Sequence, residues 1–138
     1  MIYSDAGDEP AAREYFTQLA SFAQDALVAC GYPLCTGNYM ASNLRWRQPL
    51  RVWLNFFREC IREADLHGTE DALIMFDMRP VAGDFSLFQT LAAQRREWLK
   101  APEAGTFKSV LGRHFCHAQA AAGLLPEFCA GTQRRTQE

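Results

Sequence analysis

The sequence lacks any apolar run approaching the roughly 20 residues a helix needs to cross a bilayer. Met1 to Pro10 is acidic and holds no hydrophobic stretch, which argues against a secretory signal there and against a membrane partner. There is no surplus of basic charge. Fourteen Lys and Arg face sixteen Asp and Glu, for a formal net charge of −2. A duplex nucleic-acid binder that works by neutralising phosphates is not expected from that balance. Repeats and low-complexity linkers are missing too. The five cysteines are an odd number, and a core of this size needs no disulfide staples. Cys30, Cys35, Cys60, Cys116 and Cys129 therefore read as reduced thiols of a cytoplasmic protein.

What the chain does have is material for one globular core. About half of its 138 residues are apolar, and ten Phe, four Tyr and three Trp are among them. Met1 to Asp5 reads as the end of a strand. Pro10 suits the first position of a helix, and Phe16, Leu19, Ala23, Ala26, Leu27 and Cys30 recur at helical spacing, which predicts a helix over 10–30. Gly31 stands where a left-handed cap belongs. Tyr32 to Gln48 shows no period and predicts a long ordered loop of the functional kind. Pro49 can open a second helix carrying Leu50, Trp53, Leu54, Phe57 and Ile61.

The short apolar run Ala72 to Phe76 predicts a buried strand, since Pro80 and Gly83 follow closely. Asp84 or Ser86 can cap a third helix with Leu87, Phe88, Leu91 and Trp98 on its apolar side. A fourth helix is expected over 106–122, a short one over 126–130, and a polar tail after that. The expected class is α/β (α+β, helix-rich), with a small sheet and four to five helices. Two strand candidates make no stable sheet alone. Further strands inside the loop, or a partner chain, would have to complete it.

Two segments carry the specific information. One is Cys30-Gly-Tyr-Pro-Leu-Cys-Thr-Gly-Asn-Tyr-Met-Ala-Ser-Asn-Leu-Arg-Trp46, and the other is Ile74-Met-Phe-Asp-Met-Arg-Pro-Val-Ala-Gly-Asp84. In this order and spacing they resemble the DUF294 nucleotidyltransferase domain, found beside CBS and cyclic-nucleotide-binding domains in bacterial signalling proteins. That domain is related to the uridylyltransferase domain of the PII-modifying enzyme. Matching positions are Gly31, Tyr32, Pro33, Cys35, Gly37, Met40, Ala41, Asn43, Trp46, Asp77, Arg79, Pro80, Val81, Gly83 and Asp84. The resemblance covers roughly 1–95, a partial nucleotidyltransferase-like domain, and leaves 96–138 as a helical extension packed on the same core.

The resemblance implies magnesium-assisted nucleotidyl transfer, with carboxylate oxygens holding Mg²⁺ to activate the attacking group and neutralise the leaving pyrophosphate. It places an Asp-x-Asp pair and a Gly-Ser element before Met1, so neither is in this sequence. Asp77 falls where a third, catalytic carboxylate would stand at a strand end, with Asp84 as a second candidate metal ligand. Arg45, Arg47 and Arg79 are candidate substrate contacts, because guanidinium suits bidentate phosphate binding.

Each has a plainer alternative. Asp77 and Arg79 can pair to order a turn, Asp84 can cap a helix, and Arg45 and Arg47 can be surface charge. Trp46, Trp53 and Phe57 read as core. His114, Cys116 and His117 sit within one turn and could bind zinc, but no second ligand pair accompanies them, and nothing orients Cys35 with a histidine as a nucleophile.

The functional expectation is a nucleotidyltransferase-like binding or regulatory module of bacterial signalling, without the main metal carboxylates. Its candidate partners are a nucleotide, a second copy, or an upstream regulatory domain. The alternatives are a fragment of an active magnesium-dependent nucleotidyltransferase, and a module that dimerises by completing its sheet.

Overall fold

The computed structural model describes residues 1–7, 9–63 and 66–121. The chain is helix-rich, with five α-helices and one two-stranded parallel sheet among these residues. Its described residues divide into two compact units, Met1–Arg58 with Arg79–Glu97, and Glu59–Met78 with the described residues from Trp98 onward.

In the first unit, β1 (Ile2–Tyr3) pairs in parallel with β2 (Gln48–Pro49), with Ile2 opposite Gln48 and Tyr3 opposite Pro49. The long loop thus does contain a second strand, at its very end. Between the strands runs α1 (Pro10–Ala29). Pro10 starts it at no cost, because the first helical N–H has no partner anyway. It ends in a reversal at Gly31, whose φ of 91° suits only glycine well. The Gly31 N–H donates to the Val28 carbonyl and the Tyr32 N–H to Leu27, which satisfies two end carbonyls of the helix.

Ala20 is the buried residue of α1, and Phe16 beside it stacks on the buried ring of Tyr3 at 4.6 Å. The rest of the apolar stripe is left outside. Leu19 is 38% exposed and Leu27 56%.

The helix α2 (Leu50–Glu63) follows β2 directly, and its expected stripe is inside: Trp53, Phe57 and Ile61 are all buried. Trp46, from a 3₁₀ turn at Leu44–Trp46, stacks with Trp53 at 6.1 Å, and Phe56 stands edge-on to both. From α4 (Phe85–Lys100), Leu91 is fully buried. Arg95 lies over the rings of Phe57 and Phe88 at 4.9 and 5.7 Å. Arg95 is itself buried, and the two rings face its charge.

The second unit holds α3 (Leu66–Phe76) and α5 (Gly105–Ala121), with a 3₁₀ turn at Pro102–Ala104. Phe76 meets the fully buried Phe107 at 5.4 Å. Here the expected strand at Ala72 to Phe76 is overturned: the segment is the last part of a helix. Ala72 and Leu73 are buried while Ile74 is 47% exposed, a helical pattern and not an alternating one. The composition explains it. Ala, Leu and Met favour helix, and Ile74 is the run's one β-branched residue. A short apolar run has no period of its own to tell the two apart. The expected short helix over 126–130 and the polar tail lie outside the described residues.

Candidate functional site

The loop from Tyr32 to Gln48 is the most specifically built part of the first unit. Gly37 cannot be replaced quietly: a Cβ there would lie 2.9 Å from the Tyr39 ring. Asn38 takes a left-handed φ of 58°, which asparagine tolerates better than most residues. Asn43 caps the 3₁₀ turn, accepting from the Arg45 N–H at 3.0 Å, while its own amide donates to the Asn38 carbonyl at 3.3 Å. Ser42 donates to the Gln24 side chain of α1.

Arg47 ties the loop down. It is buried, and Nη1 donates to the carbonyls of Ala41 and Ser42 at 2.6 and 3.2 Å, while Nη2 donates to Thr17 Oγ1 of α1 at 3.0 Å. The Met1 amino group donates to the Trp46 carbonyl at 2.7 Å. Burial, and secondarily the charge of Arg47, push its pKa from 8.0 down to about 6.

Two hollows result. A groove of about 350 Å³ runs between α1 and the loop, walled by Ala23, Leu27, Tyr32, Cys35, Tyr39 and Met40 among others. A smaller recess of about 180 Å³ is lined by Arg45, Trp46, Gln48, Val52, Trp53 and Phe56. The Tyr39–Trp46 stack, 5.1 Å between centroids, joins the wall of one to the wall of the other. Arg45 is exposed, with its guanidinium 4.9 Å from the Trp46 ring centre.

The other expected site residues are placed differently. Asp77 is exposed in the turn after α3, so it stands at a helix end and not at the strand end expected for it. Arg79 is exposed in the following irregular segment. Asp84 accepts from the Ser86 N–H at 2.9 Å at the start of α4. The hydrogen bonds from Ser86 hold its carboxyl below the usual range. That is the bonding of a helix cap.

Among the described residues no three His, Cys, Asp or Glu side chains gather into a group that could hold a metal ion. A magnesium ion wants several oxygen ligands in near-octahedral order, and Asp77 and Asp84 do not supply that set. The residues described therefore do not fit the ion that the resemblance implies. His114, Cys116 and His117 fall on α5, with side chains outside the described residues. Cys30, Cys35 and Cys60 form no disulfide among the described residues, and the first two are exposed. No described helix is long and apolar enough to cross a membrane.

Sequence reading missed the buried roles of Arg47 and Arg95. An arginine inside a loop or on an amphipathic helix carries no local sign of burial, because its partners are backbone carbonyls or rings far along the chain. It also missed the recess, whose residues come from the loop, a strand and α2. The signal available was the density of Trp and Arg over 45–53.

No curated protein matches the sequence, and no solved structure matches the fold. A family model does match, and its span takes in the whole loop: Gly31, Gly37, Asn43 and Trp46 are the cap, the close approach, the turn cap and the buried ring just described. Residues 1–67, which stop short of the Asp77 segment, carry the signature of the family described as Putative nucleotidyltransferase DUF294.

Proposed function

We propose that the chain is a nucleotidyltransferase-like module that binds a nucleotide and serves regulation, without carrying out transfer by itself. The observation that carries this reading is the family match over residues 1–67, set beside the placement of the acids. Nucleotidyl transfer needs metal-holding carboxylates brought together. Asp84 is engaged as a cap, and Asp77 lies at a helix end. We assign the phosphate contacts to Arg45 and Arg79, both of them exposed, and not to the buried Arg47, whose guanidinium holds the loop.

The test is transfer of label from α-phosphate-labelled nucleoside triphosphates with magnesium. The expected result is no pyrophosphate release and no labelled product. Release catalysed by this chain, lost in Asp77→Asn, supports instead the alternative that the chain is part of an active enzyme.

A second reading has its own observation. The sheet has two strands of two residues each, too little to be stable unaided. A second copy adding strands to it would make the module a dimer. Sedimentation showing only monomers at high concentration removes that reading.

A further inference from the structure

We infer that the groove between α1 and the loop is a binding site for a small neutral molecule, mainly apolar and of about a dozen heavy atoms. Its walls are one stretch of chain folded back on itself and tied across at both ends. At the Gly31 reversal the Tyr32 N–H donates to the Leu27 carbonyl at 3.1 Å. At the other end Arg47 joins the Ala41 carbonyl to Thr17 of α1, and Ser42 donates to the Gln24 side chain. Between these ties the wall of α1 runs from Ala20 to Val28, about 12 Å of helix. Walls that meet at both ends suit a compact guest, and not a helix or strand laid lengthwise. The space, about 350 Å³, is the liquid volume of about a dozen waters and lies at the small end of the range of ligand cavities.

The lining selects against charge. None of its residues is Asp, Glu, Lys, Arg or His. A charged guest would give up water there with no partner to replace it. Polar groups are few: the Gln24 oxygen accepts from Ser42, while Tyr32 and Cys35, both exposed, bring a hydroxyl and a thiol. Apolar surface stands uncovered, with Leu27, Val28 and Leu34 exposed by 56, 46 and 54%. A neutral apolar guest takes that surface out of water. The Tyr39 ring is already packed, on Trp46 at 5.1 Å and so close to Gly37 that no Cβ fits between them, and it lends the groove shape only. This site goes beyond the nucleotide reading and does not rest on it.

The experiment measures alkylation of Cys35 and Cys30 by iodoacetamide in the full chain, read by peptide mass spectrometry. Both residues are exposed, and Cys30 does not line the groove, so it is the internal control. 2-Naphthol, a neutral two-ring molecule, is expected to slow Cys35 saturably by about fivefold or more and to leave Cys30 unchanged. 2-Naphthoate, the same frame with a charge, should bind about tenfold more weakly. Ala23→Phe should fill the groove and abolish the protection, and Leu34→Ser should weaken it about fivefold. Both are changes at exposed positions, on opposite walls, so the fold is kept. No protection, equal protection of Cys30, 2-naphthoate as good as 2-naphthol, or protection unchanged in both variants would overturn the site. Protection that grows with protein concentration and needs no ligand would give the groove to a second copy, and protection by ATP would give it to the nucleotide. Either result overturns the proposal.

Discussion

Arg47 and Thr17, thirty residues apart in sequence, are joined by a 3.0 Å hydrogen bond from the guanidinium to the threonine hydroxyl. The same guanidinium holds two loop carbonyls, and the same hydroxyl donates back to the Arg13 carbonyl at 2.8 Å. Loop and helix thus share one polar joint, buried at the arginine. Arg47→Met should remove it and leave two carbonyls unsatisfied, at a cost of about 3 kcal/mol. Arg45→Met, two residues away but exposed, should stay within about 0.5 kcal/mol. Urea unfolding midpoints of the two variants check the contrast, and equal losses would contradict it.

The Met1 amino group gives a pH dependence with a definite sign. Its pKa is about 6 in the folded chain against 8.0 for a free amine, so between these values the unfolded chain holds more protons. Stability should therefore rise from pH 6 to pH 8 and be at its lower level below 6. The span is roughly 2–3 kcal/mol at most. Acetylating the amine should flatten this rise in thermal melts. A slope untouched by acetylation assigns it to another group.

Asp84 acts in the same direction, in the acid range. Its carboxyl sits below the usual 3.8, so its contribution is present above that pH and fades as pH falls through the lowered value. Asp84→Ala should lower the melting temperature at pH 7 and lose that difference in strong acid, while Asp84→Asn keeps much of the cap. A full loss of nucleotide binding in Asp84→Asn, with melting unchanged, would point to a ligand role.

The run Ala72 to Phe76 offers a direct check of helix against strand. In the helix Leu73 is buried and Ile74 half exposed. Leu73→Ala should cost about 2–3 kcal/mol, and Ile74→Glu no more than about 0.5. Backbone carbon-13 shifts of these residues should be helical. Strand shifts would restore the expectation from sequence.

That segment also marks where the sequence stopped being legible. The helices at 10–29 and 50–63 could be read because each shows a long period and a residue that starts or stops it, Pro10 and Gly31 for the first. β2 could not: two residues have no period, and Gln48 and Pro49 are a strand only because β1 lies beside them. Asp84 could be read as a cap because capping is local. Arg47 could not be told from surface charge, since its partners at 17, 41 and 42 are chosen by the fold. The motif residues Gly31, Gly37 and Asn43 were visible as a pattern, and their physical jobs became visible only with the backbone.

If, as proposed, the chain binds a nucleotide with no metal site among its described residues, that binding should not need magnesium. Calorimetric titration of the 138-residue chain with nucleoside triphosphates, with magnesium and with a chelator in its place, tests it most directly. Saturable heat is expected with at least one triphosphate, with an affinity about the same in the two conditions. Heat that appears only with magnesium, or no heat with any triphosphate, would contradict it.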